Sequence, residues 1–94
     1  MAIKPVLFDT GYIMRTPGAL LALIGAQVSE TSLIDRHMCG DFGELCAEDA
    51  AQNRRAIESG GRVFSNYAVT PSVKVWVITE ADRSVTTVLL PSEY

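Results

Sequence analysis

The carboxyl-terminal stretch, residues 73–94, limits the possible folds more than any other part of the sequence. It holds two β-rich runs, 73–79 and 85–90, joined by the polar link Glu80-Ala81-Asp82-Arg83-Ser84 and closed by Pro91. In the first run Val73, Val75 and Val77 alternate with Lys74, Trp76 and Ile78, the period-two pattern of a strand. Residues 63–69 alternate in the same way, with Val63, Ser65, Tyr67 and Val69 on one side and Phe64, Asn66 and Ala68 on the other. Thr70-Pro71-Ser72 separates these runs as a turn, because proline lacks the ladder donor and fixes its own φ. Short links between successive strands predict an antiparallel three-stranded meander. Trp76, Ile78, Val88 and Leu90 are its expected contributions to the core.

The segments ahead of the meander read as helices. Thr16 offers a hydroxyl to free amides, and Pro17 suits the first helical position, where its missing N–H would go unpaired anyway. That helix presents Leu20, Leu21, Leu23 and Ile24 and weakens at Gly25. Ser29 opens a second helix, whose apolar stripe is Leu33, Ile34, His37 and Met38. Gly40 ends it by supplying a left-handed residue. Asp41-Phe42-Gly43-Glu44 is a connector with Phe42 as its core anchor. A third helix covers residues 46–59, with Glu48 and Asp49 near its amino end, where the helix dipole favours anions. Its inward positions are Cys46, Ala50, Asn53 and Ile57. A buried asparagine needs partners, so Asn53 either bonds a neighbouring loop or sits half exposed at a rim. Residues 11–14 read as a short strand, and Val6-Leu7-Phe8 is a further apolar piece. Strands gathered after helices make the class α+β rather than α/β. Two to three N-terminal helices pack on a C-terminal three-stranded sheet, which the N-terminal strand can extend.

A chain of 94 residues bounds a single domain, and an apolar share of 48% supports a core without staples. No apolar run approaches the roughly 18 residues of a membrane span. The start, Met1-Ala2-Ile3-Lys4-Pro5, lacks the pattern of a secretory signal. The expectation is a cytoplasmic protein with no membrane partner. A net charge of −3 leaves no electrostatic footprint for nucleic acid. Arg54, Arg55 and Arg62 with Tyr67 make at most a small basic patch. The acids, by contrast, gather in the middle: Glu30, Asp35, Asp41, Glu44, Glu48 and Asp49 face only Arg36 as a base. Such an asymmetry steers a basic partner, although a solvated helix surface carries the same pattern.

Three stretches, taken in order, resemble a known family. They are Thr16-Pro17-Gly18-Ala19-Leu20; His37-x-x-Gly40-Asp41-Phe42-Gly43; and residues 78–91, Ile-Thr-Glu-Ala-Asp-Arg-Ser-Val-Thr-Thr-Val-Leu-Leu-Pro, with Glu93-Tyr94 after them. Together they look like an uncharacterised family of small bacterial proteins encoded on plasmids and other mobile elements. The likeness covers most of the chain after residue 12 and is most specific at the carboxyl end. Phe42 stands where the family pattern has a tryptophan, and Cys39 where a serine is usual, so no metal site built on Cys39 follows from the resemblance. The family implies a setting rather than a chemistry. A restriction-methylase label attached to some members does not suit this chain, which is too short and lacks the cofactor motifs.

The remaining constellations are weak. His37, Cys39 and Cys46 with Asp41 or Asp49 offer zinc-type ligands, but there is no Cys-x-x-Cys pair; no metal, cofactor or catalytic residue is assigned. Cys39 or Cys46 beside His37 lacks any local signature of a Cys-His nucleophile. No structural disulfide is expected between the cysteines. The leading functional expectation is a non-enzymatic accessory protein of a mobile element that binds another protein. An inhibitor of a restriction or CRISPR system, docking on a nucleic-acid-handling complex without touching nucleic acid, is its specific form. Its contact residues would be Asp41, Phe42, Glu44, Glu48 and Asp49 in the acidic middle and Glu80, Asp82 and Arg83 in the link, where a turn network is the competing explanation. One alternative is a small enzyme or toxin-like hydrolase using His37 with Asp41, Glu80 or Asp82. Another is a structural subunit that self-associates through an open sheet edge.

Overall fold

The computed structural model describes residues 5–94; most of the start read as free of a secretory signal, residues 1–4, lies outside them. The elements run β1 (Tyr12–Arg15), α1 (Pro17–Ala26), α2 (Glu30–Met38), α3 (Ala47–Ser59), β2 (Val63–Ala68), β3 (Lys74–Thr79) and β4 (Val85–Leu89), with a closing 3-10 turn over Pro91–Glu93. The class is α+β, and the four strands form one mixed sheet in the order β1-β4-β3-β2. Strands β2, β3 and β4 make the antiparallel meander. The N-terminal strand does extend this meander, and it makes the sheet mixed, because β1 lies parallel to β4, from Tyr12↔Val85 to Arg15↔Val88.

Two features bring β1 to β4. Thr16 turns the chain directly from β1 into α1, so β1 cannot fold back as a hairpin, and its neighbour comes from the far end of the sequence. Gly11 has φ +63, and any Cβ there would run into the Ser84 carbonyl. Only glycine permits this approach cheaply. The backbone bonds Tyr12 N–H to Ser84 O and Thr16 N–H to Val88 O, each 3.0 Å, then bracket the pairing.

The expected cap of α1 forms: Thr16 Oγ1 accepts from the Ala19 amide at 3.1 Å, with Pro17 just inside the helix. The expected inward face does not. Ala19 and Leu23 are buried, whereas Leu20, Leu21 and Ile24 are 44%, 69% and 64% exposed. A helix with apolar residues all round has no phase in its sequence, so only contact with the sheet decides which side is covered. α2 follows its stripe, burying Leu33, Ile34 and His37. Residues 6–8 form no strand, but Phe8 is buried.

The inner face of the sheet, through Tyr67, Val75, Val77 and Val88, packs on Ala19 and Leu23 of α1 and on Leu33 and Ile34 of α2. Each valine, leucine or isoleucine among them contributes roughly 1.5–3 kcal/mol by leaving water. A second cluster joins Phe8, Phe42 and Val63, with Ile57 of α3 against it. The outer edge of β2 is closed in two steps. Asn53 of α3 uses its amide like a strand, donating to Phe64 O at 2.6 Å and accepting from Phe64 N–H at 3.0 Å. Beyond it, Asn66 N–H donates to Phe42 O and Glu44 N–H to Asn66 O. Asn53 is therefore bonded to a strand, not to a loop. Among the described residues no single helix is long and apolar enough to cross a membrane.

Candidate functional site

The link between β3 and β4 is a turn network. Asp82 accepts from both the amide and the hydroxyl of Ser84, at 3.0 and 2.6 Å, and those bonds hold its carboxyl below the usual range. Arg83 adopts φ 63 and turns inward. Its guanidinium donates to Gly61 O at 2.6 Å, Ala56 O at 3.0 Å and Glu80 O at 3.2 Å, which ties the link to the carboxyl end of α3. Cations there satisfy carbonyls that a helix end leaves open. Glu80 pairs with Arg62 at 3.3 Å.

The acidic middle is partly neutralised within the fold. Asp41 forms a two-pronged pair with Arg36, at 2.7 and 3.3 Å, and also accepts from the Gly43 amide. Phe42 is buried, so it anchors the connector and cannot itself meet a partner. Glu44 pairs with Lys74 at 3.0 Å. Glu48 and Asp49 occupy the first turn of α3, exposed and with no ion pair among the described residues. The small basic patch does not assemble: Arg62 is held by Glu80, and Tyr67 is buried with its hydroxyl on Asp41 O at 2.6 Å. Burial pushes the Tyr67 phenol up to about 12.

His37 is wholly buried at the centre of a polar chain. Thr86 Oγ1 donates to Thr10 O at 2.8 Å, which uses its single proton. Thr79 must then donate to Thr86 at 2.6 Å, and His37 Nε2–H to Thr79 at 2.9 Å. Nδ1 accepts from Ser65 at 2.6 Å. Every donor has an acceptor, and both ring nitrogens are taken. Burial, helped by the Arg83 charge, lowers the imidazole to about 4. His37 meets neither Asp41 nor Asp82, which are held by Arg36 and Ser84. The zinc-type ligands are not brought together either: Cys46 is exposed where α3 begins, and no group of three metal-ligating side chains converges among the described residues.

The side of the sheet facing away from α1 and α2 carries what the sequence reading missed. Phe64 and Trp76 meet edge to face at 4.9 Å between ring centres, and Tyr94 closes on Trp76 at 5.6 Å. With Arg62 and Ile78 they line a cleft of about 310 Å³. Arg62 donates to the Tyr94 hydroxyl at 3.1 Å. A second cleft of about 450 Å³ adjoins it, lined by Asp49, Gln52, Asn53, Ala56, Gly61, Arg62 and Phe64. The two share Arg62 and Phe64, so one groove runs from Asp49 on α3 to Trp76 and Tyr94. The strand alternation already put Phe64, Trp76 and Ile78 on one face. The missing signal was that α1 and α2 cover the other face, while α3 only borders this one.

Compared with protein-family models, with curated proteins and with solved structures, the chain matches none. The groove and its side chains therefore carry the functional reading.

Proposed function

We propose that the protein is a non-enzymatic binding module that holds a segment of a partner protein in the groove from Asp49 to Tyr94. The observation that carries this reading is the aromatic cleft on a sheet face with no helix over it, continuous with an exposed carboxylate. Tryptophan, tyrosine and arginine are the side chains that dominate binding energy at protein interfaces. Phe64, Trp76 and Tyr94 supply apolar contact at small entropic cost, and Arg62 is already oriented by Glu80 and Tyr94. Asp49, with Glu48 beside it, favours a basic side chain at the other end of the segment.

The setting implied by the resemblance makes the partner a defence complex of the bacterial host. A restriction or CRISPR assembly presents basic, nucleic-acid-handling surfaces, whose side chains suit the carboxylate end of the groove at Asp49 and Glu48. The module acts in the cytoplasm by occupying such a surface, without binding nucleic acid itself. Affinity purification from the native host tests the proposal, using wild type beside Tyr94→Ala and Asp49→Arg. Wild type should recover a defence component and reduce restriction of incoming phage or plasmid. Both variants should fold normally and lose most of that recovery. Equal recovery by the variants, or no effect on restriction, would sink it.

A further inference from the structure

Two motifs far apart in the sequence meet in space. Thr16-Pro17-Gly18 opens α1, and Pro91–Glu93 forms the 3-10 turn that follows β4. Their meeting point is one carboxylate. Glu93 Oε1 accepts from the Thr16 hydroxyl and, at 2.8 Å, from the Leu90 amide. Its other oxygen lies over the first turn of α1, where a Cβ on Gly18 would stand 2.7 Å away. The free amides at a helix start favour a carboxylate there. The Thr16 hydroxyl above all, then the Leu90 and Gly18 amides, hold the Glu93 carboxyl below the usual range. An ionised carboxylate only accepts, so the single Thr16 proton goes to Glu93, while the Thr16 oxygen accepts from the Ala19 amide.

The residue after Glu93 is Tyr94, a wall of the aromatic cleft. Its ring is 64% exposed and rests against Trp76 and against Arg62, which Glu80 also holds. Contacts so open to water do not by themselves fix a side chain. The bonds of Glu93 fix the backbone from which that ring projects.

We propose that Glu93 is a positioning residue of the groove: by fastening the 3-10 turn to the start of α1, it holds Tyr94 beside Trp76 as a wall set in place before the partner segment arrives. This role rests on the groove being the docking site, and it supplies what an exposed aromatic wall needs. A side chain ordered in advance is not ordered at the expense of affinity when the segment binds. Breaking the bond between Glu93 and Thr16 frees Tyr94 and uncovers Trp76.

Thr16 also caps α1, so the variants must separate the cap from the latch. Thr16→Asp keeps a strong cap residue but sets a second carboxylate against Glu93. Gly18→Ala raises helix propensity while its Cβ pushes the Glu93 carboxyl away. Thr16→Ser retains both bonds. Acrylamide quenching of Trp76, the single tryptophan, reads the latch in the full chain with no partner present. Tyr94→Ala defines the uncovered value. Thr16→Asp, Gly18→Ala and Glu93→Ala should bring the quenching constant most of the way to it, and Thr16→Ser should match wild type. Far-ultraviolet circular dichroism should be the same for all. In affinity purification from the host, the three latch variants should lose most of the partner, as Tyr94→Ala does, and Thr16→Ser should keep it. Quenching that stays at the wild-type value in Thr16→Asp and Gly18→Ala, or that rises in Thr16→Ser as far as in Tyr94→Ala, would overturn the role of Glu93. Raised quenching with undiminished recovery of the partner would overturn the groove as the docking site and leave Glu93 holding Tyr94 for no docking purpose.

Discussion

At the scale of the residue, two buried polar side chains decide more than their size suggests. Asn53 serves both backbone groups of Phe64. Asn53→Ala leaves a donor and an acceptor unpaired under α3, at a cost of about 1–3 kcal/mol each when no water replaces the amide. Urea denaturation should show a midpoint lowered accordingly, with an unchanged slope. His37 is held neutral, at about 4 against an ordinary 6.5. The unfolded chain therefore binds the proton first. The stability from the neutral ring is complete above pH 6.5 and falls as pH drops toward 4, by about 3 kcal/mol in full. Unfolding of wild type and His37→Gln measured between pH 7.5 and 4 checks this: the variant starts less stable and loses less. The sequence placed His37 on a buried stripe, but the hydroxyls that meet it come from β2, β3 and β4, and no local pattern names them.

At the scale of the element, the link between β3 and β4 is better described as a brace for α3 than as a contact loop. Arg83→Met keeps the length and apolar stem but removes three bonds to Gly61, Ala56 and Glu80 carbonyls. A loss of about 2 kcal/mol is expected from hydrogen bonds to a charged donor, read as an earlier thermal midpoint. The Asp41–Glu44 connector has a similar role, since Gly43 at φ +72 lies against the Asn66 carbonyl. Gly43→Ala combines a disfavoured φ with a backbone clash and should destabilise by about 2 kcal/mol or more in the same measurement. Much of the element structure was legible: the alternation gave β2, β3 and β4, and Thr16-Pro17 gave the start of α1. The exposed side of α1 was not, because uniform hydrophobicity carries no phase. The partner of β1 was not either, because a neighbour so distant in sequence is chosen by the assembled sheet. The groove stayed hidden for a related reason: Phe64 and Trp76 look like core until one knows where the helices lie.

At the scale of the whole molecule, the apolar interior is divided. Ser65, His37, Thr79 and Thr86 lie on the inner face between the cluster around Val75, Val77 and Val88 and the one around Phe8, Phe42 and Val63. Their continuous hydrogen bonds couple the halves, so the domain should unfold in one step. Trp76, the single tryptophan, reports on the uncovered face, while circular dichroism reports on the helices. Coincident urea transitions from the two probes are expected; a separate early tryptophan transition would show the halves unfolding apart. The strand order β1-β4-β3-β2 has a further consequence, for synthesis. The chain is made from its amino end, yet β4, which lies between β1 and the rest of the sheet, is made last. Until β4 leaves the ribosome, β1 has no neighbour and α1 has no floor to cover Ala19 and Leu23. The most apolar helix is finished early and seated late, and this interval is when a nascent chain of this topology most needs a chaperone.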